Sequence, residues 1–169
     1  MIDADYVRLM ARYNAWQNGQ LMPVLEAMDH ETLIADRGGF FGGLLPTANH
    51  LLWGDMMWMS RFDPSVEAPE GGIADSVTLH PTVGSWAADR FRMDGLITLW
   101  AAKLDAVDVQ GELTWFSRIK GQEVQTPMAQ SVMHFFNHQT HHRGQIHAML
   151  TAIGAQAPVS DLAFMPEEV

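Results

Sequence analysis

The segment at residues 126–153 constrains the fold of this chain more than any other part of the sequence. Thr126-Pro127 is typical of a helix N-cap followed by the first helical residue, and Gly154 is a typical stop. At about 100° per residue its apolar side chains fall within one arc roughly 100° wide. They are Met128, Val132, Phe135, Ile146, Met149, Leu150 and Ile153. The sequence therefore predicts a long amphipathic helix whose apolar face other helices must cover.

Three earlier segments have the same helical spacing. Residues 3–28 carry apolar side chains every three or four positions, and Pro23 predicts a kink or break near Met22. After a glycine-rich loop, Thr47 is a candidate N-cap for a helix over residues 47–61. A further helix is predicted over residues 83–104. The chain is thus expected to be all-α.

The connections between these segments differ in kind. Residues 63–81 are rich in Pro and Gly and predict a long loop, which in a compact domain is often functional. Residues 113–119 and 123–126 flank Lys120-Gly121-Gln122 and predict a short hairpin or extended connection before the last helix. The tail, residues 155–169, contains two prolines and is predicted to be irregular.

Composition removes several classes of function. The 169 residues fit a single domain over 1–169, and the absence of cysteine excludes disulfides, Cys-ligated zinc and a Cys nucleophile. The net charge of −10 disfavours nucleic-acid and membrane partners. Without an apolar run of about 18 residues or a signal-peptide pattern at the start, a cytoplasmic location is expected.

Histidines are concentrated in the last predicted helix, where they are His134, His138, His141, His142 and His147. Side chains four apart share a helix face, so His134/His138 and His138/His142 could each chelate one metal ion. Taking His134 as zero, His138 lies at about 40° and His142 at about 80°, beside the apolar arc. His141 lies at about −20°, towards the polar side. The phase therefore favours His138 and His142 as inward-facing ligands.

A metal site needs at least a third ligand, and the histidines outside the cluster are His30, His50 and His80. His50 alone lies in a predicted apolar helix, with Trp53 and Met57 within about 60° of it. A core histidine bonded to a backbone carbonyl would explain His50 equally well. Spacing alone leaves the two interpretations open.

Stretches from most of the chain also carry a family resemblance. They are Tyr13-Asn14-Ala15-Trp16-Gln17-Asn18 with Leu21, Asn49-His50-Leu51-Leu52, Asn137-His138-x-x-His141-His142-Arg143-Gly144-Gln145 and Ser160-Asp161-Leu162-Ala163-Phe164-Met165-Pro166. Together they resemble the DinB-like (DinB/YfiT) family of small bacterial proteins, which is distinct from the DNA polymerase that shares the name.

The resemblance implies an up-down-down-up four-helix bundle, often a homodimer, with a divalent metal ion, zinc or nickel, at one end of its core. It maps the family's ligands onto His50, His138 and His142, in agreement with the helix phase. Some members are transferases or isomerases that use a low-molecular-weight thiol.

Three hypotheses about activity follow. The first is a metal-dependent thiol transferase, in which the nucleophile comes from a small-molecule cosubstrate. The second is a metal-dependent hydrolase, with His141, His134 or Asp55 as candidate general base. The third is a metal- or ligand-binding bundle in stress response without catalysis. For Arg143 we expect an interhelix salt bridge, for Gln145 a polar helix face, and for Tyr13, Asn14 and Trp16 packing and interhelix hydrogen bonds.

Overall fold

This computed structural model describes residues 2–117 and 120–167, and it is mostly helical with a small antiparallel sheet. The elements are α1 (Ala4–Glu26), α2 (His30–Ile34), α3 (Leu44–Phe62), α4 (Ile73–Ser76), α5 (Val83–Lys103), β1 (Glu112–Ser117), β2 (Gln122–Pro127), α6 (Met128–Ala152) and a 3-10 turn (Leu162–Phe164).

The long helices pack along their apolar faces. Helix α1 packs against α5, α3 packs against both α5 and α6, and α1 also contacts α6. The apolar arc predicted for the last helix supplies much of the core, since Val132, Phe135 and Ile146 are essentially inaccessible to solvent. Ile153 was wrongly placed in this arc, because it lies just beyond the helix end and is 39% exposed.

Helix α3 begins three residues earlier than predicted. Its N-cap is Gly43, and Thr47 lies inside the helix, where its hydroxyl donates to the Gly43 carbonyl oxygen at 2.7 Å. Pro46 is tolerated because the first helical turn has no intrahelical use for its missing N–H. A Cβ at Gly43 would lie 2.8 Å from the Ala35 carbonyl oxygen, so glycine permits this close approach.

The other boundaries also differ in detail. Helix α1 continues through Pro23 and ends at Glu26. Pro127 is the N-cap of α6 and the last residue of β2, so the helix starts at Met128 and the predicted Thr126 cap is wrong. The region predicted as a loop between α3 and α5 contains the short helix α4.

The hairpin prediction before the last helix is confirmed for the described residues. Strands β1 and β2 pair antiparallel, with Leu113 opposite Thr126 and Trp115 opposite Val124. Arg118 and Ile119, which the prediction included, lie outside the described residues. The hairpin contacts α3 and α6, so it stands beside the helices that carry the candidate site.

A buried charged network joins the long helices below that site. Arg90 donates to Asp55 at 2.6 Å and pairs with Asp94 at 2.8 Å. The side-chain amides of Asn14 and Asn18 each donate to Asp94 at 2.9 Å. Burial raises the pKa of both carboxyl groups, and the Arg90 charge between them opposes that shift. The network therefore ties α1, α3 and α5 together by pairing the Arg90 charge with two carboxylates, while Asn18 Oδ1 and Arg90 Nε have no hydrogen-bond partner.

Helix α6 joins the same network through two side chains. Gln139 donates to Asp55 at 3.1 Å, and Arg143 donates to Asn14 and lies over the Tyr13 ring. The salt bridge predicted for Arg143 is therefore wrong, because its partner on α1 is an amide oxygen. These bonds fix how α6 sits against α3, and with it the relative positions of their histidines.

Candidate metal centre

The fold brings His50 of α3 against His138 and His142 of α6. One ring nitrogen from each lies within 4.8 Å of the other two. His50 and His142 are only 5% and 6% exposed, and His138 is half-buried, so the group is largely shielded from solvent. Among the described residues no carboxylate oxygen or further histidine joins this group.

Hydrogen bonds fix the protonated nitrogen of two of the rings. The Ser76 hydroxyl donates to the Ile73 carbonyl oxygen at 2.6 Å, so it accepts from His50 Nδ1 at 2.8 Å. The Gln145 side-chain amide oxygen, Oε1, accepts from His142 Nδ1 at 2.8 Å. Each ring therefore keeps its proton on Nδ1 and leaves the Nε2 lone pair free, which is the form that binds a metal ion.

The spacing of the His50 and His138 nitrogens fits a metal ion. His50 Nε2 and His138 Nε2 lie 3.3 Å apart. Two nitrogens bound at about 2.0–2.1 Å to one tetrahedral ion would be separated by about 3.3 Å. In addition, His138 Nδ1 is buried without a hydrogen-bond partner. A cation bound between the two Nε2 atoms would fit this spacing, and the proton of His138 would then lie on Nδ1.

Electrostatics keep the rings neutral. Burial, with the neighbouring histidine charges, lowers the pKa of His50 to about 4 and that of His138 to about 3. Burial also lowers the pKa of His142. All three are therefore unprotonated at neutral pH, so a metal ion would not have to displace protons from them.

Close packing holds His138 and His50 in place. A Cβ at Gly54 would lie 2.6 Å from His138 Cε1, so the ring occupies the space that any other residue would fill. The Phe41 ring stacks on His50 at 3.9 Å between centroids and also contacts His142. Glycine thus lets α6 bring its histidine against α3, and Phe41 covers one side of the cluster.

A cavity of about 630 Å³ opens beside the cluster, with His50 and His138 in its wall. Its other walls come mainly from α3, the segment before α4 and strand β1. Trp53 and Met57 line it, in agreement with the predicted pocket wall, and Trp58 and Trp115 add aromatic surface. The cavity is large enough for a small organic molecule next to the histidines.

The candidate general bases are placed differently. His134 packs on Trp58, with ring centroids 5.0 Å apart, and lines the same cavity. His141 is exposed and accepts from the Gln145 amide at 3.1 Å. Asp55 is fully buried in the charged network, which excludes it as a base that meets a substrate.

Other predicted roles are also resolved. His30 is exposed at the start of α2, and His80 pairs with Asp89 at 3.2 Å, so neither joins the cluster. Asn14 makes interhelix hydrogen bonds and Tyr13 packs against Trp16, in agreement with prediction. Gln145 does more than form a polar face, because it orients His142.

Sequence reasoning missed Ser76, Phe41 and Gly54. Ser76 and Phe41 lie in segments predicted as loops, where no periodicity indicates which side chain turns inward. Gly54 did carry a signal, since a glycine inside an apolar helix often marks the close approach of another group.

Comparisons with known proteins identify the family of this chain. In the described residues no helix is long and apolar enough to cross a membrane. A search of curated proteins found none that matches this sequence. A family model described as "DinB family" matches residues 1–168, essentially the whole sequence. The chain therefore belongs to the DinB family.

Proposed function

We propose that this protein is a metal-dependent transferase that activates a low-molecular-weight thiol at a divalent ion held by His50, His138 and His142. The observation that carries the proposal is the convergence of neutral imidazole nitrogens at the wall of a large cavity. Structural zinc sites normally have four protein ligands, whereas catalytic sites keep a position open. Because no further protein ligand joins the described group, a small molecule could occupy that position.

The protein's own residues would prepare the site for this chemistry. Ser76 and Gln145 hold the Nδ1 protons of His50 and His142, which directs both Nε2 lone pairs inward. Phe41 shields one side of the cluster from water. A bound divalent ion, zinc or nickel, would lower the pKa of a thiol or water placed next to it. Since the sequence has no cysteine, the thiol must come from a cosubstrate.

A hydrolase is the second candidate, and the position of His134 favours it. His134 shares the cavity wall with His50 and His138. Burial and the nearby Arg61 charge lower its pKa, so it is a neutral base at physiological pH. A base in this place could take a proton from water. The third interpretation, a stress-response protein that binds a metal or other ligand without catalysis, would require a fourth ligand or a closed site.

The finer architecture is part of the proposal. The helix contacts are consistent with an up-down-down-up four-helix bundle, with the β1–β2 hairpin inserted before α6. We also propose a homodimer, which the family resemblance implies. Phe91 and Leu99 on α5, 72% and 60% exposed, are the first positions to substitute when molar mass in solution is measured.

Metal analysis tests the site. Protein loaded with zinc or nickel should hold about one ion per chain, and His50→Ala, His138→Ala and His142→Ala should each lose it. His134→Ala and His141→Ala are the matched controls and should retain it. Full occupancy in all three ligand variants would refute the assignment.

Activity is tested separately on the loaded protein. A panel of cellular thiols against electrophiles should give turnover that disappears with His138→Ala. Turnover of ester, amide or phosphoester substrates without a thiol, reduced in His134→Ala, would instead support the hydrolase. A site that binds metal but turns over neither panel would favour the binding protein.

A further inference from the structure

Arg61 lies in the wall of the cavity and has an unusual environment. Its guanidinium carbon lies 4.4 Å from the Trp58 ring centroid and 5.1 Å from that of Trp115. Burial lowers its pKa, and no carboxylate contributes an opposing shift. Within the described part of the chain Arg61 forms no ion pair. The aromatic rings hold the cation in place without neutralising it.

The cavity contrasts with the rest of the protein in its charge. The chain has a net charge of −10, yet none of the described residues that line the cavity is Asp or Glu. Arg90 and Arg61 also differ in their counter-charges. Arg90 pairs with Asp55 and Asp94, whereas Arg61 forms no ion pair with any described residue. A half-buried guanidinium facing a cavity without acidic groups attracts an anion.

We propose that the cavity binds a small carboxylate with an apolar body, whose carboxylate pairs with Arg61 while its other end reaches the three-histidine centre. The planar guanidinium fork matches a carboxylate. Trp53, Trp58, Trp115 and Met57 provide the apolar walls for the body of the ligand. The proposal deepens the proposed function and rests on it for the end that meets the metal.

The helix fixes the length of this ligand. His50 and Arg61 are eleven residues apart on α3, which places them on one face and about 16 Å apart along the axis. Helical side chains lean towards the N-terminus, so the side chain of Arg61 extends back along α3 in the direction of His50 and shortens this gap. The ligand therefore carries its carboxylate several bonds away from the group that reacts.

Ligand titration tests the proposal. Zinc-loaded and metal-free protein are titrated with 4-phenylbutyrate and with its neutral amide, and tryptophan fluorescence and calorimetry report binding. Wild type should prefer the carboxylate at least about tenfold, and Arg61→Gln should lose that preference without weaker binding of the amide. Arg92→Gln, a substitution of an exposed arginine on α5, is the matched control and should behave as wild type. Metal content is measured for each protein.

Distinct outcomes separate the two proposals. An unchanged preference in Arg61→Gln that retains its metal, or no binding of either ligand, overturns the carboxylate site. Tighter binding of a phenylalkyl phosphonate than of the carboxylate overturns the assigned anion. If the protein binds no metal, the proposed function fails, and the Arg61 dependence in metal-free protein still decides this inference. If the affinity for glutathione depends on Arg61, the carboxylate that Arg61 binds belongs to the thiol cosubstrate. If only the affinity for 4-phenylbutyrate depends on Arg61, the carboxylate belongs to the electrophilic substrate.

Discussion

Two polar clusters share helices α3 and α6 and differ in how their polar groups are paired. Helix α3 contributes Asp55 to the charged network and His50 to the histidine cluster, only five residues apart. In the network, Arg90 meets carboxylates at 2.6 and 2.8 Å. In the cluster, the Nε2 atoms of His50 and His138 face each other and His138 Nδ1 has no partner.

The difference separates a structural element from a binding site. Buried polar groups are normally paired within the protein, because an unpaired group loses its hydration without compensation. The network pairs its charges within the protein and holds the helices together, although Asn18 Oδ1, Arg90 Nε and Gln139 Oε1 have no hydrogen-bond partner. The histidine cluster instead brings neutral nitrogens together at the wall of a cavity, where a cation could bind them. We therefore expect substitutions in the network to change stability and substitutions around the cluster to change metal affinity.

The largest effect is expected for Arg90→Met, which leaves two buried carboxylates without their cation. The free energy of unfolding of the metal-free protein should fall by about 3–5 kcal/mol, measured by urea denaturation. Arg92→Met is the control and should change it by less than about 0.5 kcal/mol, since that side chain is exposed. Equal stability of the two variants would contradict the structural role of the network.

Gly54→Ala should separate affinity from stability. The added Cβ would meet His138 Cε1 at 2.6 Å and displace the ring, so metal affinity should fall by on the order of a hundredfold. The free energy of unfolding should change little, because the strain of displacing the ring is offset by the preference of alanine over glycine in a helix, about 1 kcal/mol. Gly95→Ala, in the open middle of α5, should leave metal affinity unchanged. Metal titration with a competing chelator measures both, and an unaltered Gly54→Ala affinity would refute the close-packing argument.

Ser76→Ala should have a smaller effect on the same property. The substitution removes the acceptor that holds the proton on His50 Nδ1, so metal affinity should fall by about tenfold. Ser65→Ala, in an exposed turn, is the control. The prediction fails if the two variants bind metal equally well.

The smallest signal is expected in proton release on metal binding. A histidine with the ordinary pKa of about 6.5 is about three-quarters protonated at pH 6. His50 and His138, with pKa values of about 4 and about 3, are neutral there and have no proton to release. Calorimetry at pH 6 in buffers of different ionisation enthalpy should therefore show almost no release from these two rings. Release of one proton or more would contradict the buried, neutral site.

The same pKa shifts affect stability with a defined sign. Below pH 6.5 the unfolded chain binds protons at these histidines before the folded protein does. The metal-free protein should therefore lose stability as the pH falls from about 6.5 towards about 4.

Much of α6 was predictable because a helix repeats locally. The apolar arc and the inward position of His138 and His142 follow from the 3.6-residue period. The stop at Gly154 follows from the positive φ that glycine adopts there. The N-cap of α3 could not be predicted in the same way, because Thr47 and Gly43 are both acceptable N-caps. Packing against Ala35 decided between them. The single-domain organisation and the cytoplasmic location stay predictions.

The sequence by itself determined that two histidines would share one face of a helix, because residues four apart are always neighbours there. It left His50 open, since periodicity within α3 says nothing about which part of α6 that helix meets. His50 and His138 are 88 positions apart, and only the packing of α3 on α6 brings their nitrogens to 3.3 Å. That packing depends on the missing side chain of Gly54 and on the buried Arg90 network. Local helix geometry therefore placed His138 and His142 on one face, and the tertiary packing of α3 on α6 added His50 and formed the cavity beside the three histidines.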